Sequence, residues 1–312
     1  MKLRNAGLLC VVLAAAVSCD RDKRSGKPAV APVTQSGSAD PWSAAPAKKE
    51  PLAQPLFWKL EKDGNTSYLL GTMHMGVDPT TRLPDLVWKK LDASPVFAME
   101  MDLSKGSALD IKRTDGKTLK DDLDATHWQK LEGALGRDVA ARIVDQKPMI
   151  PATLLSLRGL PSTPAMDGVL AAHAANQHKR ILFLEPIEAQ MSVLEKWMDA
   201  RMLADMLDDL PIHEQRIKEM LDAYVAGDGD KLVAIQQSER ELFKNHGRTD
   251  QEFDDSMADL LYKRNASWID AIEKMHREGG AFIAVGAAHT VGPKSVRELL
   301  EQRGFKITRI TP

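Results

Sequence analysis

The chain predicts an α/β fold: a mixed central sheet formed from the N- and C-terminal parts of the body, with a mostly helical middle insertion. Three observations carry this. Apolar runs of strand type lie at both ends of the body, at residues 57–61, 67–70 and 95–101 on one side and 281–285 and 305–310 on the other. Residues 187–275 hold no convincing strand and read as three or four helices, broken around Leu210-Pro211, Gly227-Asp228-Gly229 and Gly247. No repeat of solenoid length interrupts this pattern.

The elements follow in order. Lys62-Asp63-Gly64-Asn65-Thr66 stands between two apolar stretches, and Asp-Gly there is a hairpin signal. Residues 84–91 read as a short helix, followed by the strand that ends in Met99-Glu100-Met101. Residues 118–160 break into short helical pieces at Pro148, Pro151 and Gly159; residues 163–177 form a helix and 180–185 a strand. The end returns to strand, then a helix over 293–303 stopped by Gly304, then a last strand.

Not all 312 residues are fold. Residues 1–18 carry Lys2 and Arg4, then an apolar run too short to span a bilayer, the composition of an export signal peptide. Cys19, directly after Ala16-Val17-Ser18, resembles a bacterial lipobox, which implies lipidation of Cys19, anchorage to a membrane and a place in the cell envelope, facing the periplasm or the cell surface. An ordinary signal peptide with a stray cysteine is the alternative. Residues 19–55 are rich in Pro, Ala, Ser and Lys and read as a disordered tether; the folded domain is expected over 56–312, its helical middle at about 187–278. Cys10 and Cys19 are the two cysteines, so the body has neither a disulfide framework nor a cysteine metal site. Basic and acidic residues number 42 and 44 with no basic stripe, and no nucleic-acid partner is expected. Nothing in the sequence fixes the oligomeric state.

Two short segments echo each other. Gly71-Thr72-Met73-His74 and Gly286-Ala287-Ala288-His289 each end an apolar strand with Gly, two residues and His. Such a His sits at the rim of a sheet, and two can meet there if the fold pairs their strands. Glu100 ends a strand of apolar neighbours, where a carboxylate needs a cation or hydrogen bonds; period two puts Asp102 on the same face. Arg264 falls in the gap of a helical apolar stripe, four after Leu260 and four before Trp268, and needs an anion there; Asn265 is beside it. Glu185 ends the strand before Pro186, and a capping or structural role is expected for it. His173 reads as a satisfied core histidine, and His127, His178, His213, His246 and His276 as surface residues. There is no phosphate loop, no Gly-x-Ser-x-Gly elbow and no His-Glu-x-x-His helix.

These blocks together, with Leu83-Pro84, Glu100-Met101-Asp102-Leu103, Met166-Asp167, Leu184-Glu185, Arg264-Asn265 and the closing Val285-Gly286-Ala287-Ala288-His289, resemble the TraB/GumN family, relatives of the TIKI proteases. The resemblance covers nearly all of residues 56–312. It implies a fold related to erythromycin esterase and ChaN-like proteins. It also implies a metal-dependent hydrolase site of His74, Glu100 and His289, with Arg264 as charge partner, holding a divalent ion such as manganese, cobalt or zinc and acting on a peptide or other small carbonyl substrate. Two imidazoles and a carboxylate leave open positions on such an ion for water, and Asp102 or Glu185 could move the proton. Two rivals stand beside it: a metal-free esterase-like hydrolase with His74 as general base, and a non-catalytic heme- or peptide-binding protein of the envelope.

Overall fold

The structure, a computed structural model, describes residues 50–102, 104–105 and 109–312. The signal-peptide and lipidation readings, at residues 1–18 and Cys19, lie outside these residues. Six strands form one mixed sheet: β1 (Phe57–Lys62), β2 (Asn65–Thr72), β3 (Val96–Met99), β4 (Arg180–Phe183), β5 (Phe282–Gly286) and β6 (Lys306–Arg309). Their spatial order is β4-β3-β5-β2-β1-β6. β1 runs antiparallel to β2 and β6, whereas β2, β5, β3 and β4 are mutually parallel neighbours. The expected mixed sheet with a helical middle is thus the observed one.

The hairpin between β1 and β2 turns where expected, with Asp63 and Gly64 both at positive φ, 50° and 79°. Two successive left-handed residues give the turn whose twist suits flanking strands. β5 is buried at all five positions, as its unbroken Phe282-Ile283-Ala284-Val285 run requires of a central parallel strand. Phe97, Phe282 and Trp268 anchor the core around the sheet, and Leu131, Leu194, Leu203 and Phe253 a second core among the helices.

The helical middle has more breaks than the three or four helices expected: Ile187–Trp197, Ala200–Asp208, Leu210–Ala226, Gly229–Asn245 and Asp250–Met257 precede the last long segment. The unforeseen break comes at Asp199, whose side chain accepts from Met202 N at 2.7 Å and starts a new helix. Gly227 ends another at φ 69°, and a β-carbon there would stand 1.8 Å from Gln54 O. Only glycine fits. Between Asp250–Met257 and Lys263–Arg277 the helix does not stop; it widens into a π turn over Ala258–Tyr262. This departs from the uniform helical spacing of the apolar stripe, and such turns commonly occur at functional sites.

β3 ends at Met99, so Glu100 and Asp102 do not share a strand face. Glu100 is buried, while Asp102 is half-buried and its Oδ1 accepts from Ser104 N and Oγ at 3.0 and 2.6 Å. Three histidines also depart from expectation. His173 is half-exposed rather than core, its Nε2 2.7 Å from Asp92 Oδ1. His213 and His276 are buried rather than on the surface. His276 Nδ1 meets Ser67 Oγ at 2.8 Å, which a helix pattern rich in charged neighbours did not reveal.

Candidate functional site

The parallel register delivers the site. Thr72 of β2 pairs with Gly286 of β5, and Met99 of β3 pairs with Ala284 on the other side of β5. The C-terminal ends of β2, β5 and β3 therefore lie together, and His74, His289 and Glu100 leave from adjacent strand ends. β4 adds Glu185, whose backbone N–H donates to Glu100 O at 2.9 Å. Crevices outside the carboxyl ends of parallel strands are where open α/β sheets bind ligands.

His74 is 6% exposed and its Nδ1–H donates to Asp167 Oδ2 at 2.5 Å. Asp167 enters from the first turn of helix Met166–Asn176, and its Oδ1 also accepts from Thr72 Oγ1 at 2.8 Å. Both oxygens are fixed, so the imidazole is fixed in tautomer and angle with Nε2 free. Burial disfavours the charged ring, but the Asp167 charge and hydrogen bond, joined by the Glu100 charge, outweigh it and raise the His74 pKa to about 9.

Glu100 is held at both oxygens: Oε1 accepts from Gly286 N at 2.7 Å and Oε2 from Arg264 Nη2 at 2.8 Å. Burial works against its ionised form. His289 when protonated, the Arg264 and His74 charges and the Gly286 N–H overcome this and lower its pKa to about 2. Glu100 is thus a carboxylate throughout the neutral range.

Arg264 organises this end of the sheet. Its Nε reaches both Glu185 oxygens at 3.0 and 3.1 Å, and Nη2 bridges Glu185 Oε1 at 2.5 Å and Glu100. Nη1 donates to Leu260 O at 2.9 Å and to His289 Nε2 at 3.3 Å. Leu260 belongs to the π turn Ala258–Tyr262, one turn before Arg264. Glu185 therefore binds Arg264 and caps no helix; the helix Ile187–Trp197 has no side-chain cap. Burial pushes the Glu185 pKa up against the pull of Arg264.

His289 is 1% exposed and its Nδ1–H donates to Asn265 Oδ1 at 2.6 Å, while Asn265 Nδ2 donates to Lys294 O at 2.9 Å. Nε2 is then the unprotonated nitrogen that accepts from Arg264. Burial, and the positive charges of Arg264 and His74, outweigh the attraction of Glu100 and lower its pKa to about 3. The Trp268 ring covers it at 4.6 Å between centroids.

Four site residues thus converge in one buried assembly: His74, Glu100, His289 and Arg264, with Glu185 and Asn265 in direct contact. Asp102 is bonded to Ser104 instead. Asp167 is the partner that the sequence reading left out of the site. Met166-Asp167 is one of the blocks that carry the family resemblance, but an acidic residue in the first turn of a helix is ordinary and implied no role there; its place beside His74 comes from the long-range packing.

Gly286 defines the open point of the site. A β-carbon there would lie 3.3 Å from both Glu100 Oε1 and His74 Nε2, and 3.6 Å from His289 Cδ2. The missing side chain leaves room between an acid and a base. As for a metal, Asp167 and Asn265 orient both imidazoles by Nδ1, the outer-shell pattern of ligating histidines. His289 Nε2 and Glu100 Oε1 are 3.8 Å apart, a separation compatible with two ligands on one ion at bonds of about 2.0–2.2 Å. Arg264 Nη1 occupies the His289 nitrogen at 3.3 Å, so these residues could hold a divalent ion only after Arg264 moves away from it. Among the described residues no group of three or more His, Cys, Asp or Glu stands ready as a ligand cluster.

The order of these blocks along the chain agrees with comparison to known proteins. A profile of the TraB/PrgY/gumN family matches residues 56–309, and the chain belongs to this family. It is similar to "Uncharacterized protein YbaP" of Shigella flexneri, 25% identical over 242 residues that span 75% of this chain and 87% of that protein. The protein of the same name from Escherichia coli (strain K12) is 24% identical over 241 residues, with the same coverage. No solved structure matches the chain.

Proposed function

We propose that the protein is a hydrolase of carbonyl substrates, a peptide or an ester, in which His74 moves the proton. The observation that carries this is the placement of His74 Nε2 and Glu100 Oε1, both facing Gly286 and each 3.3 Å from where a β-carbon on that residue would stand, with Nδ1 of His74 locked on Asp167. A water held between these two groups, beyond the Gly286 backbone, can donate to Glu100 and give up a proton to neutral His74 Nε2 as it attacks the carbonyl carbon. The imidazolium so formed faces Asp167, and it returns the proton to the leaving group. Arg264 spends all its donors on Glu185, Glu100, His289 and Leu260, so its part is to hold Glu100 ionised and aimed. With a pKa of about 9, His74 is a strong base of which only about one part in 100 is neutral at pH 7.

A second reading is favoured by the two Nδ1 anchors: His74, His289 and Glu100 would hold a divalent ion, which would acidify water and polarise the carbonyl. As an exported lipoprotein, the protein would act at the cell envelope, on the sequence features of residues 1–19 alone.

The test is hydrolysis of a peptide and ester library by purified protein with and without exhaustive chelation. Activity that survives chelation and falls by at least about 100-fold in His74→Ala supports proton transfer by His74. Activity lost on chelation and restored by manganese or cobalt selects the metal form, and activity unaffected by His74→Ala ends both.

A further inference from the structure

Behind His74 and Gly286 a cavity of about 100 Å³ runs from the sheet edge into the helical middle. Its walls are apolar and rich in methionine: Met73, Met202, Met206, Met220 and Met257 all line it. Flexible thioether side chains adapt to chains of differing shape. At the helical side the wall becomes polar at His213. This imidazole is 4% exposed, and neither Nδ1 nor Nε2 has a hydrogen-bond partner. A buried imidazole with both nitrogens unserved is costly and rare in native proteins. His213 sits in the first turn of helix Leu210–Ala226, where its backbone N–H already bonds Asp209 O, so the ring is not used for capping.

We infer that this cavity is the substrate pocket of the proposed hydrolase, that it takes an apolar chain running inward from the reacting carbonyl, and that His213 hydrogen-bonds a hydroxyl on that chain. The inference rests on the hydrolase reading for which end of the substrate lies at His74. A hydroxyl suits the position because it both donates and accepts, and so serves whichever nitrogen faces it. A second anion there would meet Asp205 and Glu239, which also line the wall. Burial, with the nearby His246 and Arg216, holds His213 neutral, its pKa lowered to about 3. The carboxylate product of hydrolysis would meet the His74 imidazolium at the other end.

Calorimetric binding of alkanoates of eight to sixteen carbons, each compared with its ω-hydroxy partner, tests this without requiring turnover. At one or more chain lengths the hydroxy acid is expected to bind about tenfold or more tightly than the plain acid. The preference is expected to vanish in His213→Leu and to persist in part in His213→Gln, with unchanged near-ultraviolet circular dichroism as the check on folding. Equal binding of both series, no binding by either, or a preference that survives His213→Leu overturns the inference. A hydroxyl preference in a protein that hydrolyses nothing would leave the pocket and remove the hydrolase; turnover without the preference would do the reverse.

Discussion

Thr72 and Gly286 face each other across the parallel pair β2–β5, and each begins the short path to a buried histidine. Because the two strands share direction and register, His74 and His289 emerge on the same side of the sheet edge. Gly286 lies between them with no side chain. The site is the space this residue leaves.

Gly286→Ala is therefore expected to abolish function while sparing the fold. The backbone at Gly286 has φ −51° and ψ 141°, which alanine adopts freely. The new methyl would stand 3.3 Å from Glu100 Oε1 and His74 Nε2, crowding the space that a water or carbonyl must approach. Loss of hydrolysis by about 100-fold or more, with a melting temperature within a few degrees of the parent, is the expected result. Full activity in the alanine variant would move the reacting point elsewhere.

Asp167→Asn should release His74 from its charged form. The folded pKa of about 9 exceeds the ordinary 6.5, so the stability that this pair contributes is complete below about pH 6.5 and is lost as pH rises through 9. A shift of this size is linked to roughly 3 kcal/mol. Urea denaturation from pH 6 to 10 should show that decline in the parent and a flatter profile in the variant. Nuclear magnetic resonance titration of His74 should show its pKa lowered by the substitution; an unchanged value would mean that Asp167 is not its partner.

The rate should carry the same titration. If neutral His74 is the base, kcat/KM is expected to rise about tenfold per pH unit from 6 to 8 and to level near 9. A rate that is flat across this range would show that His74 takes no proton in the limiting step.

Arg264→Met would leave Glu100 and Glu185 buried with no cation between them, and a loss of about 3–5 kcal/mol is expected from denaturant unfolding. Arg264→Lys should recover little of this, since one ammonium cannot reach Glu185, Glu100, Leu260 O and His289 from one position. Parental stability in the lysine variant would show that the fork geometry is unimportant.

Should a divalent ion bind, it must displace the Nε2 proton of His74. Affinity for manganese, followed by thermal shift, is then expected to rise about tenfold per pH unit up to about 9 and to vanish in His74→Ala and His289→Ala. Affinity independent of pH would place the ion away from His74.

Much of this was readable in the chain because short-range signals happened to coincide with long-range ones. Strand, glycine and histidine occur twice, and a parallel pairing is enough to bring the copies together. Arg264 was legible as a charge inside an apolar stripe, but the π turn that aims it was not, since nothing in Ala258-Asp259-Leu260-Leu261-Tyr262 departs from helical composition. Asp167 was visible as part of the Met166-Asp167 block, but its role was hidden by the ordinary preference for acids in a first helical turn. His213 was read as surface because Glu214 and Gln215 follow it, yet helix Leu210–Ala226 turns it inward among methionines. Local pattern gives periodicity; which face becomes the inside is decided by the neighbours.

β5 lies between β2 and β3 in space although it follows both by most of the chain. Before residues 282–286 are placed, β2 and β3 have no common neighbour, and His74 and Glu100 have no reason to meet. The pairing closes a very long loop, which makes it a late and slow event in folding. A chain cut short of Phe282 would own most of the candidate site residues and none of the geometry. The geometry of the site thus depends on one central strand.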